Sequence, residues 1–119
     1  MNKEHIENYI LNNNIDIRSL SSLQLITIIM EQVETIKDLK GDDKKKYVIK
    51  LLNEIITNDD NIFTKSNNLN LIINITNLLD ANIVSDIIDT IVLCVDGVVK
   101  INDKIKSSCY CLPFKKNNV

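Results

Sequence analysis

The chain has 119 residues and a formal charge of −2, with 45% apolar and 25% charged residues. That composition fits one globular domain and excludes a disordered polyelectrolyte. Two glycines and one proline exclude collagen-like and proline-rich sequences, and 4% aromatics without tryptophan require an aliphatic core. Isoleucine (21) and asparagine (17) dominate against one alanine and one arginine, the usage of an AT-rich genome.

Apolar residues recur at steps of three and four through most of the chain, the period of a helix with one buried face. Residues 4–11 predict a short first helix with Ile6, Tyr9 and Ile10 on one side, broken by Asn12-Asn13-Asn14. A second helix is expected from near Ser19, with Ser21 or Ser22 as further caps, to about Leu39. Its stripe is Leu23, Ile26, Ile29, Met30, Val33 and Ile36. Gly41 suits a left-handed position after that helix, and Asp42 or Asp43 suits the cap of the next. The third helix, residues 44–57, is predicted as an antiparallel neighbour of the second, with Tyr47, Val48, Leu51, Leu52, Ile55 and Ile56 on its stripe. Residues 58–68 are a polar connection holding the apolar pair Ile62 and Phe63. Helical spacing resumes over residues 69–79, meets a cap or kink at Asp80-Ala81-Asn82, and continues over 83–95 to Asp96-Gly97. Residues 98–102 alternate and read as extended. The many β-branched residues favour strands, but turn signals 15–20 residues apart favour helices. The expected fold is all-α, a compact bundle of four to five helices over residues 1–103, with a flexible basic tail over 104–119.

Charge and motif usage exclude several function classes. Residues 1–99 carry nine basic and fifteen acidic groups, a net −6, whereas residues 100–119 carry five lysines and one aspartate, a net +4. An acidic body with Arg18 as its one arginine disfavours nucleic-acid binding, which rests on phosphate neutralisation. Three cysteines, Cys94, Cys109 and Cys111, do not make a disulfide framework, and Cys94 reads as a small core residue. His5, the only histidine, reads as a surface residue, and one histidine with a Cys-x-Cys pair falls short of a zinc site. Asp86 and Asp89 share a helix face, and with Asp96 they read as a solvated acidic surface rather than a cation site. Two glycines leave no phosphate-binding loop. The Asn74-Ile75-Thr76 sequon carries no meaning without a secretory signal, which the polar residues 1–9 do not resemble. Residues 83–99 are apolar enough to suggest a membrane span, but three aspartates at about 2.5–3.5 kcal/mol each argue against one. No cofactor and no enzymatic activity are expected. The location expected is intracellular (host cytoplasm) or a virion, and not secreted.

The tail joins paired cysteines with bulky apolar residues and lysines. Lysines near an anionic membrane contribute about 1 kcal/mol each, and acylated cysteines would add a second anchoring signal. Cys109, Cys111, Lys104, Lys106, Lys115 and Lys116 are therefore the candidate lipidation or membrane-contact residues. The alternative is a disordered end, enriched by compositional drift, with incidental cysteines.

Residues 36–56, IKDLKGDDKKKYVIKLLNEII, start with LKG, two variable residues and KK before an aliphatic helix. A helix rich in Ile and Asp (83–99), a basic segment (100–106) and Cys109 to Cys111 follow. In that order the chain resembles small helical proteins of large eukaryotic DNA viruses, over about residues 30–111. The resemblance implies a viral origin and a virion or host-interaction role, and it carries over no catalytic residue. The function expected is a non-enzymatic structural or protein-interaction role, with the helical surface binding a partner protein or a second copy in a homodimer. The alternative is a peripheral membrane protein anchored through its tail.

Overall fold

Five of the helical segments begin with a side chain taking over the role of a missing carbonyl. A computed structural model describes residues 1–96, with side chains described through residue 92. Helix α1 (Lys3–Asn12) starts where Asn2 Oδ1 accepts from the His5 N–H. A 3-10 turn (Ile17–Ser19) starts where Asp16 accepts from the Arg18 N–H and the Ser19 hydroxyl. Helix α2 (Ser22–Val33) has a full capping box: Ser21 Oγ accepts from the Gln24 N–H at 3.1 Å, and Gln24 Oε1 accepts from the Ser21 N–H at 2.8 Å. Asn61 Oδ1 accepts from both the Phe63 and Thr64 N–H groups to start the short α4 (Ile62–Lys65). Asn68 does the same for Leu71 at the start of α5 (Leu69–Asp80). Such a cap supplies an acceptor to a helix end that otherwise has none, worth about 1 kcal/mol.

Helix termination relies on asparagine as well. Asn14, Asn67 and Asn82 have φ of 55°, 62° and 59°. After each, the next N–H reaches five residues back: Ile15 to the Ile10 carbonyl (3.2 Å), Asn68 to Phe63 (2.8 Å) and Ile83 to Leu78 (3.2 Å). This is the Schellman arrangement, which favours glycine and tolerates asparagine. At Asn82 it turns the chain by 98° from α5 into α6 (Val84–Asp96).

The helices enclose one aliphatic core. Ile6 and Ile10 of α1, Leu25, Ile26, Ile29 and Val33 of α2, and Val48, Leu51, Leu52 and Ile55 of α3 (Gly41–Thr57) are buried there. Leu20, Ile28, Phe63, Leu71, Ile75, Val84, Ile88 and Ile91 belong to it as well. Helix α3 packs against α1, α2, α5 and α6. The all-α bundle expected from the periodicity is the one that forms: five helices of ten residues or more, plus α4, among the described residues.

Four expectations need correction. First, α2 ends at Val33, not near Leu39. The Thr35 N–H and hydroxyl both turn back to the Gln32 carbonyl (3.1 and 2.6 Å), and the Ile36 N–H reaches the Val33 carbonyl at 3.0 Å. Those three-residue bonds close the helix, while Ile36 and Leu39 stay half-buried from an irregular segment. Second, Gly41 is not left-handed. It is the first residue of α3, and Lys40 precedes it as a cap without a side-chain bond. Third, Asp42 and Asp43 are therefore not caps. They lie in the first turn of α3, where negative charge opposes the positive helix end. Fourth, the 58–68 connection contains α4, whose Phe63 is fully buried. Residues 98–102 lie outside the described residues.

Candidate interaction surfaces

The C-terminal end of α2 and the first turns of α3 do not close fully against α6. A cavity of about 280 Å³ remains between them. Met30, Val33, Val48, Ile88 and Val92 form its apolar wall. Gly41 opens onto it, with no atom within 4 Å of where a Cβ would stand. The rim is charged. Lys44 Nζ meets Glu34 Oε2 at 3.0 Å, and Lys45 Nζ meets Asp89 Oδ1 at 2.8 Å. The hydrogen bond that Lys45 donates to Asp89 pushes its ammonium above its ordinary pKa, desolvation opposes it, and the charges of Asp89, Asp42 and Asp86 reinforce it. Four carboxylates thus surround two ammonium groups.

The second surface is the outer side of α5. Its sequence, LNLIINITNLLD, holds one charged residue, the terminal Asp80. Leu69 and Ile73, one turn apart, are 49% and 55% exposed, and Ile72, Thr76 and Leu79 lie half-buried beside them. Asn70, Asn74 and Asn77 border this stripe on the solvent side. Ile83, 40% exposed, extends the apolar surface at the corner into α6.

A third cluster is structural. Lys3 Nζ bonds Glu7 (3.4 Å) and the Asp60 carbonyl (2.9 Å), and Glu7 accepts from the Ile62 N–H (3.3 Å). Together these tie α1 to the start of α4. The Asp60 carboxyl is held below the usual carboxylate range by its hydrogen bond to Lys65 and then by the Lys65 charge, and Lys65 is raised by the same contact. Tyr9 is raised chiefly by burial, then by the charge of Glu31 and the hydrogen bond to it.

His5 is exposed, with Nε2 3.3 Å from Gln32 Oε1. Asp89 is taken by Lys45. Among the described residues, no group of three or more His, Cys, Asp or Glu side chains could hold a metal ion. The sequon lies within α5, where the Thr76 hydroxyl donates to the Ile72 carbonyl at 2.7 Å. Among the described residues no single helix is long and apolar enough to cross a membrane, and the only pair that qualifies together, α5 with Val84–Val92, is bent by 98°. The Cys94 and Asp96 side chains, and Lys104, Lys106, Cys109, Cys111, Lys115 and Lys116, lie outside the described residues.

Periodicity alone does not reveal the cavity or the Lys45–Asp89 pair, because both depend on how helices far apart in sequence pack together. It also passes over the buried Asn61 and Asn68, whose signal is nonetheless present: each stands directly before an apolar run, the position of a cap. Protein-family models, curated proteins and solved structures were each compared with the chain, and none matches.

Proposed function

We propose that the protein is a non-enzymatic structural or interaction protein that pairs with a second copy of itself through the outer side of α5. The observation that carries this reading is the uncharged apolar stripe around Leu69 and Ile73. An isologous interface sets a surface against itself, so each rim group meets its own kind or a neighbour. Charged rims repel under that symmetry. The amides of Asn70, Asn74 and Asn77 both donate and accept, so they match their own copies. An apolar centre within a polar rim is the usual build of a protein interface. A virion component or a host-interaction factor is the role that goes with the resemblance over residues 30–111, and a self-pairing helical module serves either.

Sedimentation across a concentration series tests the pairing. The wild-type chain is expected to show a monomer–dimer equilibrium, and Ile73→Glu to remain monomeric with an unchanged circular dichroism spectrum. Asn70→Asp with Asn74→Asp leaves the apolar stripe intact and adds like charges to the rim, so it should weaken pairing in a manner relieved by salt. A wild type that stays monomeric at every concentration, or variants that pair as well as it does, would overturn the proposal.

A further inference from the structure

We propose that the cavity between α2, α3 and α6 is the seat of segment 104–116 of the same chain, KIKSSCYCLPFKK, bound in cis. The site differs from the α5 surface, and the two proposals stand or fall separately. Three observations on the cavity and the sequence point to this occupant.

The first is shape. A cavity of about 280 Å³ walled by Met30, Val33, Val48, Ile88 and Val92 has room for more than one apolar side chain, since about 150 Å³ of apolar cavity accepts a benzene ring. Segment 104–116 offers Ile105, Leu112 and Phe114 as anchors. The second is charge. Glu34, Asp42, Asp86 and Asp89 gather around Lys44 and Lys45. Among the described residues neither Asp42 nor Asp86 belongs to an ion pair. The segment carries Lys104, Lys106, Lys115 and Lys116 and no acidic residue, so its charge is opposite to the net charge of the rim, where Glu34, Asp42 and Asp89 outnumber Lys44 and Lys45. The third is reach. Val92 itself lines the cavity, and α6 ends one turn later at Asp96. The eight residues from there to Lys104 span up to about 28 Å when extended. Helix α3, with 17 residues, is about 25 Å long, so the tether allows return to the cavity. A short tether holds its ligand at an effective concentration of order millimolar, so modest contacts suffice.

The test uses the full chain with Cys94→Ser, a nitroxide spin label on Cys109 and Cys111, and isotope-labelled methyl groups. The expected result is paramagnetic broadening of the Met30, Val33, Val48 and Val92 methyls, several-fold stronger than at Leu69 and Ile73. Asp42→Lys with Asp86→Lys should reduce it, and neither substitution touches the buried core. A mixed sample, with the spin label on one population and isotopes on the other, should give no broadening. Broadening that falls elsewhere, that survives the charge reversal unchanged, or that appears equally in the mixed sample would overturn the proposal. The last outcome assigns the segment to a second copy, and broadening confined to Leu69 and Ile73 assigns it to the α5 surface.

Discussion

Helices α3 and α5 each carry seven large apolar residues, but they finish their outer sides differently. Helix α3 spreads the seven over 17 residues, buries Val48, Leu51, Leu52 and Ile55, and turns seven charged side chains toward water or the cavity rim. None of its large apolar residues is exposed. Helix α5 packs its seven into 12 residues, buries only Leu71 and Ile75, and leaves Leu69 and Ile73 in solvent. The core takes side chains from α1, α2, α3, α4 and α6 as well, and α5, apolar on more than one side, leaves part of itself outside. A scattered exposed leucine needs no explanation, whereas large apolar patches on other proteins are often interaction sites, the reading proposed above for α5.

The contrast can be broken most directly by one pair of substitutions. Ile55 is fully buried and Ile73 is 55% exposed. Ile55→Ala should cost about 2–5 kcal/mol of unfolding free energy, through lost burial and the cavity left behind. Ile73→Ala should stay within about 0.5 kcal/mol while weakening self-pairing. Urea denaturation at a concentration where the chain is monomeric measures both. Comparable losses at the two positions would mean that α5 is as internal as α3.

Asparagine divides along the same line. Asn61 is 2% exposed and makes four bonds: Oδ1 accepts from Phe63 and Thr64, and Nδ2 donates to the carbonyls of Ile55 (3.1 Å) and Asn58 (2.6 Å). Asn74 is exposed on α5. Asn61→Ala should cost about 1–3 kcal/mol, because it leaves buried backbone groups unpaired. Asn74→Ala should be neutral or slightly stabilising, since alanine is the better helix former. Thermal melts of the two variants decide it.

The same residues explain how much of the molecule is legible in the sequence. Apolar spacing is a sufficient guide to α1, α3, α5 and α6, because a stripe such as Val48, Leu51, Leu52 and Ile55 has one arrangement that buries it. It misleads at the end of α2. Ile36 and Leu39 keep the period and remain half-buried, yet the backbone has already left the helix through the Thr35 and Ile36 bonds. Burial repeats the pattern without the helix, so the pattern cannot place the boundary. The cavity lies beside that boundary, lined by Met30, Val33 and Glu34 among others, and its shape depends on contacts between helices that periodicity does not encode. The left-handed turns are hidden by composition. Glycine is the usual signal for them, but here Asn14, Asn67 and Asn82 take that role, in a chain where 17 asparagines dilute the clue.

Gly41 sharpens the comparison at the cavity end of α3. It stands within the first turn, with open space where a methyl group would project, so it gains from a side chain. Gly41→Ala should stabilise by about 0.4–1 kcal/mol, by restricting the unfolded chain. In a left-handed position the same change would destabilise. The sign of the shift in urea midpoint therefore distinguishes the helical start from the turn that the sequence suggests.

The smallest effects are electrostatic, and they separate the two ends of the pH range. Lys45 is raised by its bond to Asp89. Its contribution is complete below the ordinary lysine value near 10.4 and is lost as pH rises through the higher folded value. Lys65, raised by Asp60, and Tyr9, raised by burial, are lost on the same alkaline side. Asp60 is lowered by Lys65. Its contribution is complete above the ordinary aspartate value near 3.9 and is lost as pH falls through the lower folded value. Asp60→Asn should therefore flatten the acid limb of stability against pH and, because Lys65 loses its partner, part of the alkaline limb. Lys45→Met should flatten the alkaline limb alone and loosen the contact of α3 with α6. Both pairs are on the surface, so high salt should shrink each effect. An alkaline limb unchanged by Lys45→Met would mean that the apolar wall of the cavity, rather than the ion pair on its rim, holds α6 against α3.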